Sequence, residues 1–140
     1  MLTREGVFPH GVSDTELQPI YRPRPGLPFT EAKLGSGENI QLWTTFTPDQ
    51  IDIDVSHPLG REYLDGILRT FAANGVSMVR LDAIGYTIKK ANTSCFMLPE
   101  TFDYIKELSA RVHELGMETL VEIHSHYKQQ IEIAGLVDWV

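Results

Sequence analysis

The chain has 140 residues, with 12 basic against 19 acidic side chains and a net charge of −7. That balance argues against nucleic acid or an anionic membrane as a partner, and no apolar run approaches the roughly 20 residues that span a bilayer. An apolar fraction of 42% with 22% charged residues is that of an ordinary globular domain. The single cysteine, Cys95, allows no internal disulfide; together with a start, Met1 to Gly6, that lacks a leader's apolar core, it fits a cytoplasmic location.

Residues 1–37 are rich in proline and glycine and carry little periodicity. Pro19, Pro23, Pro25 and Pro28 exclude a helix or central strand there. Tyr21, Leu27 and Phe29 supply apolar anchors, so a long ordered loop is expected, of a kind that is often functional. Residues 40–46 (IQLWTTF) alternate and are rich in strand formers, which predicts an extended segment.

Asp54 or Ser56 is placed to cap a helix that Pro58 opens. Tyr63, Ile67 and Phe71, flanked by Leu64 and Leu68, form its apolar stripe, and Gly75 ends it. A strand over 76–82 follows. Pro99 and Glu100 open a second helix with a stripe of Phe102, Ile105, Leu108, Val112 and Leu115, closed by Gly116. A strand over 117–123, a short helix over 127–134 ending at Gly135, and the start of a strand at 137–140 complete the pattern.

From residue 58 the order is helix, strand, helix, strand, helix, strand, with no hairpin turn between those strands. Crossovers of this length imply parallel pairing. Strands apolar on both faces imply a sheet covered on both sides. The expected fold class is α/β, as a fragment of a larger protein built on a parallel sheet, since a complete (β/α)8 barrel needs about 200 residues or more.

Two strands end in a carboxylate: Asp82 after VRL, and Glu122 after TLV. Working residues of such folds sit at the C-terminal ends of strands. On adjacent strands, about 4.8 Å apart, the pair suits the roughly 5–5.5 Å carboxyl separation of a retaining glycosidase. Arg80, two residues before Asp82, points to the same face and favours the ionised carboxylate a nucleophile requires. Glu122 has Leu120 at the matching position and no such cation, which suits an acid/base. A capping aspartate beside an ion-paired glutamate would account for the same residues without catalysis. Tyr86 follows Asp82 on its loop, and His124 and His126 follow Glu122. Phe46 offers a flat face of the kind that stacks under a sugar, although a lone aromatic is more often core. Glu122, His124 and His126 also admit a weak reading as metal ligands.

The chain resembles the sucrose phosphorylase family of the α-amylase clan. The resemblance rests on YRPRPGLPFT at 21–30, FTPDQIDID at 46–54, VRLDAIGY at 79–86, NTSCFMLPETF at 92–102 and VEIHSHYKQQIEIA at 121–134. RLDA is shared across the wider clan, whereas the Pro/Arg loop and EIHSHY are more specific to the phosphorylases. The resemblance implies a fragment of a (β/α)8 TIM barrel with part of an inserted loop-rich subdomain, residues 1–55 in the subdomain and 56–140 in central βα units of the barrel, and it implies Asp82 as nucleophile and Glu122 as acid/base. It implies Phe46 and Arg80 as glucosyl contacts, with Arg24, Gln50, Tyr86 and His124 around the site that takes fructose or phosphate in turn. The implied partners are sucrose, inorganic phosphate, glucose 1-phosphate and fructose, with no metal or organic cofactor.

Relative to the family pattern the first barrel strands and a later His-Asp pair with a third carboxylate are absent, so the 140 residues alone are expected to have little phosphorylase activity. Sucrose 6F-phosphate and glucosylglycerate phosphorylases share the same two carboxylate motifs. An amylase-clan hydrolase and an inactive carbohydrate-binding remnant are also compatible with these residues.

Overall fold

A computed structural model describes all 140 residues. The elements in chain order are α1 (Arg4–Val7), α2 (Asp14–Leu17), β1 (Phe29–Lys33), β2 (Asn39–Trp43), α3 (Pro58–Ala73), β3 (Met78–Leu81), a 3-10 turn (Ile84–Tyr86), α4 (Pro99–Glu114), β4 (Glu118–Val121) and α5 (Tyr127–Ala134). They divide into two compact units. The first comprises 1–60 and 86–96, the second 61–85 and 97–140.

In the first unit β1 and β2 form an antiparallel hairpin, Phe29 opposite Trp43 and Lys33 opposite Asn39. The sequence predicts only an extended segment here, at 40–46. The hairpin's first strand lies within the stretch expected to be loop. Leu2, Phe8, Trp43 and Cys95 form the core, with Phe29 meeting Trp43 edge to face. Cys95 is a packing thiol, 1% exposed.

The Pro-rich segment owes its order to Arg22. Its guanidinium donates to the carbonyls of Pro25 and Leu27 at 2.9 and 2.8 Å and to Thr45 at 2.9 Å, with longer bonds to Thr44 and Phe46. Prolines cannot donate backbone hydrogen bonds, so one fork of five N–H donors supplies what the loop lacks.

In the second unit β3 and β4 pair in parallel, Met78 beside Glu118 and Leu81 beside Val121. The parallel pairing expected from the long crossover is present. Helices α3 and α4 both close as predicted. Gly75 and Gly116 have φ of +75° and +78°. The next N–H of each turn, from Val76 and Met117, returns to Phe71 and Val112. That left-handed closure turns the chain from helix to strand at little steric cost in glycine.

The core of this unit centres on Leu68, Val79, Val112 and Met117. Ile105 and Val112 are fully buried, each contributing about 1.5–3 kcal/mol of apolar transfer free energy. The stripe of α3 is narrower than expected: Leu68 is buried, while Tyr63 and Phe71 are exposed.

Three further details differ from the sequence-based expectation. Neither Asp54 nor Ser56 caps α3. Asp54 Oδ1 accepts the Ser56 N–H, and His57 Nδ1 accepts that of Leu59. Residues 137–140 form no strand of their own but a single parallel bridge, Trp139 to Leu120. The sheet is not covered on both faces throughout, since Met78 and Arg80 on β3 are exposed, in alternation with buried Val79. No helix is long and apolar enough to cross a membrane.

Candidate active site

The parallel register carries Asp82 and Glu122 to equivalent positions, one residue beyond Leu81 and Val121. The Glu122 N–H continues the ladder by donating to the Leu81 carbonyl at 3.1 Å. Both carboxylates therefore emerge at the C-terminal ends of neighbouring strands. Ala83, directly after Asp82, has a φ of 54°, and the chain turns sharply there into the 3-10 turn.

Arg80 serves both carboxylates. Its Nη2 lies 3.4 Å from Asp82 Oδ1 and 3.8 Å from Glu122 Oε2. His124 Nε2 approaches Glu122 Oε1 at 2.8 Å. Glu122 thus has two basic neighbours, which corrects the expectation that it lacks a cation. Strand pairing brings Arg80 across from the neighbouring strand, and His124 follows on the loop. Asp82 is the more open group, its side chain 66% exposed against 31% for Glu122. Four of the expected site residues, Arg80, Asp82, Glu122 and His124, are therefore together in the second unit.

His126 has a separate duty: it is the N-cap of α5, with Nδ1 accepting from the Lys128 N–H. No group of three His, Cys, Asp or Glu side chains is arranged to hold a metal ion.

The other four expected residues lie in the first unit. Phe46 meets Tyr86 edge to face, with ring centroids 5.3 Å apart. Tyr86 also packs on Tyr21 and Phe96, at 6.1 and 4.6 Å. Gln50 closes the turn after Phe46, accepting from Thr47 Oγ1 at 3.0 Å. Arg24 is exposed and makes no hydrogen bond or ion pair. The two arginines of the RPRP motif therefore differ: Arg22 is consumed by backbone carbonyls, while the Arg24 fork is free to meet an anion.

One group near these residues goes unnoticed in the sequence. Lys89, its side chain only 3% exposed, pairs with Asp52 at 3.0 Å and donates to Thr45 Oγ1 at 2.9 Å and to the Tyr86 carbonyl. Burial pulls its ammonium below the ordinary lysine range, and Asp52 opposes that shift. The only trace in the sequence is that Asp52 alternates with apolar neighbours in IDID at 51–54.

No protein-family model matches the chain. The chain is 53% identical over 133 residues to a sucrose phosphorylase of Agrobacterium vitis, across 95% of this chain and 27% of that protein. It is 50% identical over 139 residues to a sucrose phosphorylase of Bifidobacterium adolescentis, across 99% and 27%. The crystal structure of a sucrose 6F-phosphate phosphorylase from Thermoanaerobacter thermosaccharolyticum superposes with a TM-score of 0.89 at 33% identity, covering 99% of this chain and 29% of that one. The chain thus spans about a quarter of the length of the relatives it matches.

Proposed function

The chain belongs to the sucrose phosphorylase family, and from that membership we propose that it carries the nucleophile and the acid/base of a retaining glucosyl transfer from sucrose to phosphate. The observation that carries the reading is the level emergence of Asp82 and Glu122 from adjacent parallel strands, with Arg80 between them. Strands about 4.8 Å apart favour the close carboxyl spacing of a double-displacement mechanism.

In the first step a carboxylate oxygen of Asp82 attacks the anomeric carbon of the glucosyl unit. The bond to the fructosyl oxygen breaks as Glu122 delivers its proton to that oxygen, and fructose leaves. In the second step a phosphate oxygen attacks the β-glucosyl-enzyme, Glu122 takes a proton from the phosphate, and the Asp82 ester bond breaks. Two inversions give α-D-glucose 1-phosphate. Phe46 is the stacking platform for the glucosyl unit, and Arg80 contacts that unit from beside the nucleophile. Arg24, Gln50, Tyr86 and His124 receive fructose and phosphate in turn, with the unpaired guanidinium of Arg24 the phosphate partner. The barrel of which β3 and β4 are two strands is part of the same proposal.

A second substrate, sucrose 6F-phosphate, is favoured by the superposition on a phosphorylase of that name. These 140 residues alone are expected to turn over little, so incubating a complete barrel that contains them with each sugar, with and without inorganic phosphate, separates the readings. Phosphate-dependent α-glucose 1-phosphate from sucrose supports the first, the same product from the 6F-phosphate alone supports the second, and glucose released without phosphate contradicts both.

A further inference from the structure

We propose that Lys89, together with Asp52, is a positioning residue that fixes Tyr86 against Phe46 and thereby sets the acceptor side of the site. The inference rests on the phosphorylase reading for its kinetic consequence, but not for its structural one.

A buried ammonium is costly unless its hydrogen bonds and charge are met. Here all three N–H bonds are committed: to Asp52 Oδ2, to Thr45 Oγ1 and to the Tyr86 carbonyl. The ammonium also lies 5.2 Å from the centre of the Trp43 ring. Asp52 in turn accepts from the Thr45 N–H at 3.0 Å and from its hydroxyl at 2.6 Å. The pair thus grips the backbone on both sides of one aromatic contact. Thr45 immediately precedes Phe46, and the Tyr86 carbonyl belongs to the residue whose ring meets Phe46.

An apolar residue of similar volume would fill the same space at lower desolvation cost. What it would not supply is a directional bond to the Tyr86 carbonyl. Tyr86 is the last residue of the 3-10 turn, so the bond to its carbonyl fixes the backbone that carries its ring against Phe46.

Lys89→Met alone strands the Asp52 charge and risks misfolding, so the informative variant is the double substitution Asp52→Asn with Lys89→Met. It is compared with the parent in the wild-type and Tyr86→Ala backgrounds, by kcat/KM for phosphorolysis and by the tyrosine band in near-ultraviolet circular dichroism. If Lys89 acts through Tyr86, the double substitution costs about tenfold in the wild-type background and less than about twofold where Tyr86 is already gone. It also weakens the tyrosine band. An equal loss in both backgrounds overturns the inference, as does a lowered melting temperature with an unchanged tyrosine band. Little or no glucose 1-phosphate from the parent is the result expected of these 140 residues alone and leaves the phosphorylase reading of a complete barrel standing. The tyrosine band then decides the positioning role: weakening supports it and constancy overturns it.

Discussion

Asp82 and Glu122 leave their strands at the same level, because the Glu122 N–H bonds to Leu81, the residue before Asp82, at 3.1 Å. Neither position is fixed by its own strand; the parallel register of β3 and β4 sets both. Removing either carboxyl is therefore expected to abolish a shared function rather than to unfold the unit, since both are partly or largely exposed. On the proposed reading, and in a complete barrel that contains this chain, Asp82→Asn should lower phosphorolysis about 10⁴-fold or more, as loss of a nucleophile does. Glu122→Gln should lower it by about 10²–10⁴-fold, the usual worth of a general acid. Steady-state release of glucose 1-phosphate measures both, and melting temperatures close to the parent's are expected for each.

Arg80 reaches both carboxylates through one nitrogen. A lysine at this position keeps the charge but lacks the planar fork. Arg80→Lys should reduce kcat by about 10–100-fold, the equivalent of one charge-assisted hydrogen bond. Kinetics of the variant at saturating sucrose check this, and an unchanged kcat would show that the bridge has no role in the reaction.

The α3–β3–α4–β4 succession was legible in the sequence because its signals are local. Apolar residues three and four apart, Pro58 and Pro99 at helix starts, and Gly75 and Gly116 after helix ends each act within one turn of chain. The hairpin β1–β2 was not, although Gly35 and Gly37 mark its turn, because the β1 sequence FTEAK buries little and alternates weakly. The partners of Glu122 were hidden for a different reason. Its contact with Arg80 joins two strands separated by a whole helix and depends on their register. The division of labour between Arg22 and Arg24 was equally illegible, since both sit in one short motif and only the fold decides which guanidinium meets carbonyls.

That division is testable. Arg22→Met removes the donors that hold the Pro-rich loop and should destabilise the protein by about 2–4 kcal/mol, given the usual worth of hydrogen bonds from a charged donor. Arg24→Met should leave the melting temperature within about 1 °C, as expected for an exposed side chain away from structural features, and raise the KM for phosphate. Thermal melts and phosphate titrations of the two variants distinguish the roles. A destabilised Arg24 variant with an unchanged phosphate KM would reverse the assignment.

Asp138 supplies a pH-dependent element. The Thr119 N–H, His113 and the Thr119 hydroxyl all stabilise its ionised form, lowering its pKa from 3.8 to about 2. A carboxyl depressed in the folded state contributes stability that is fully present above its unfolded value and is lost as pH falls through the folded one. The contribution should therefore disappear between about pH 4 and pH 2. Urea midpoints across that window should fall less steeply in Asp138→Asn than in the parent, and identical slopes would show that Asp138 contributes nothing to acid stability.

The most direct measurement concerns the covalent intermediate. Glu122→Gln, supplied with α-D-glucosyl fluoride, whose leaving group needs little acid assistance, should accumulate the glucosyl-enzyme. Peptide mass spectrometry is predicted to find one hexosyl unit, on Asp82. A hexosyl unit on another residue, or a product of inverted configuration formed without any adduct, would contradict the account.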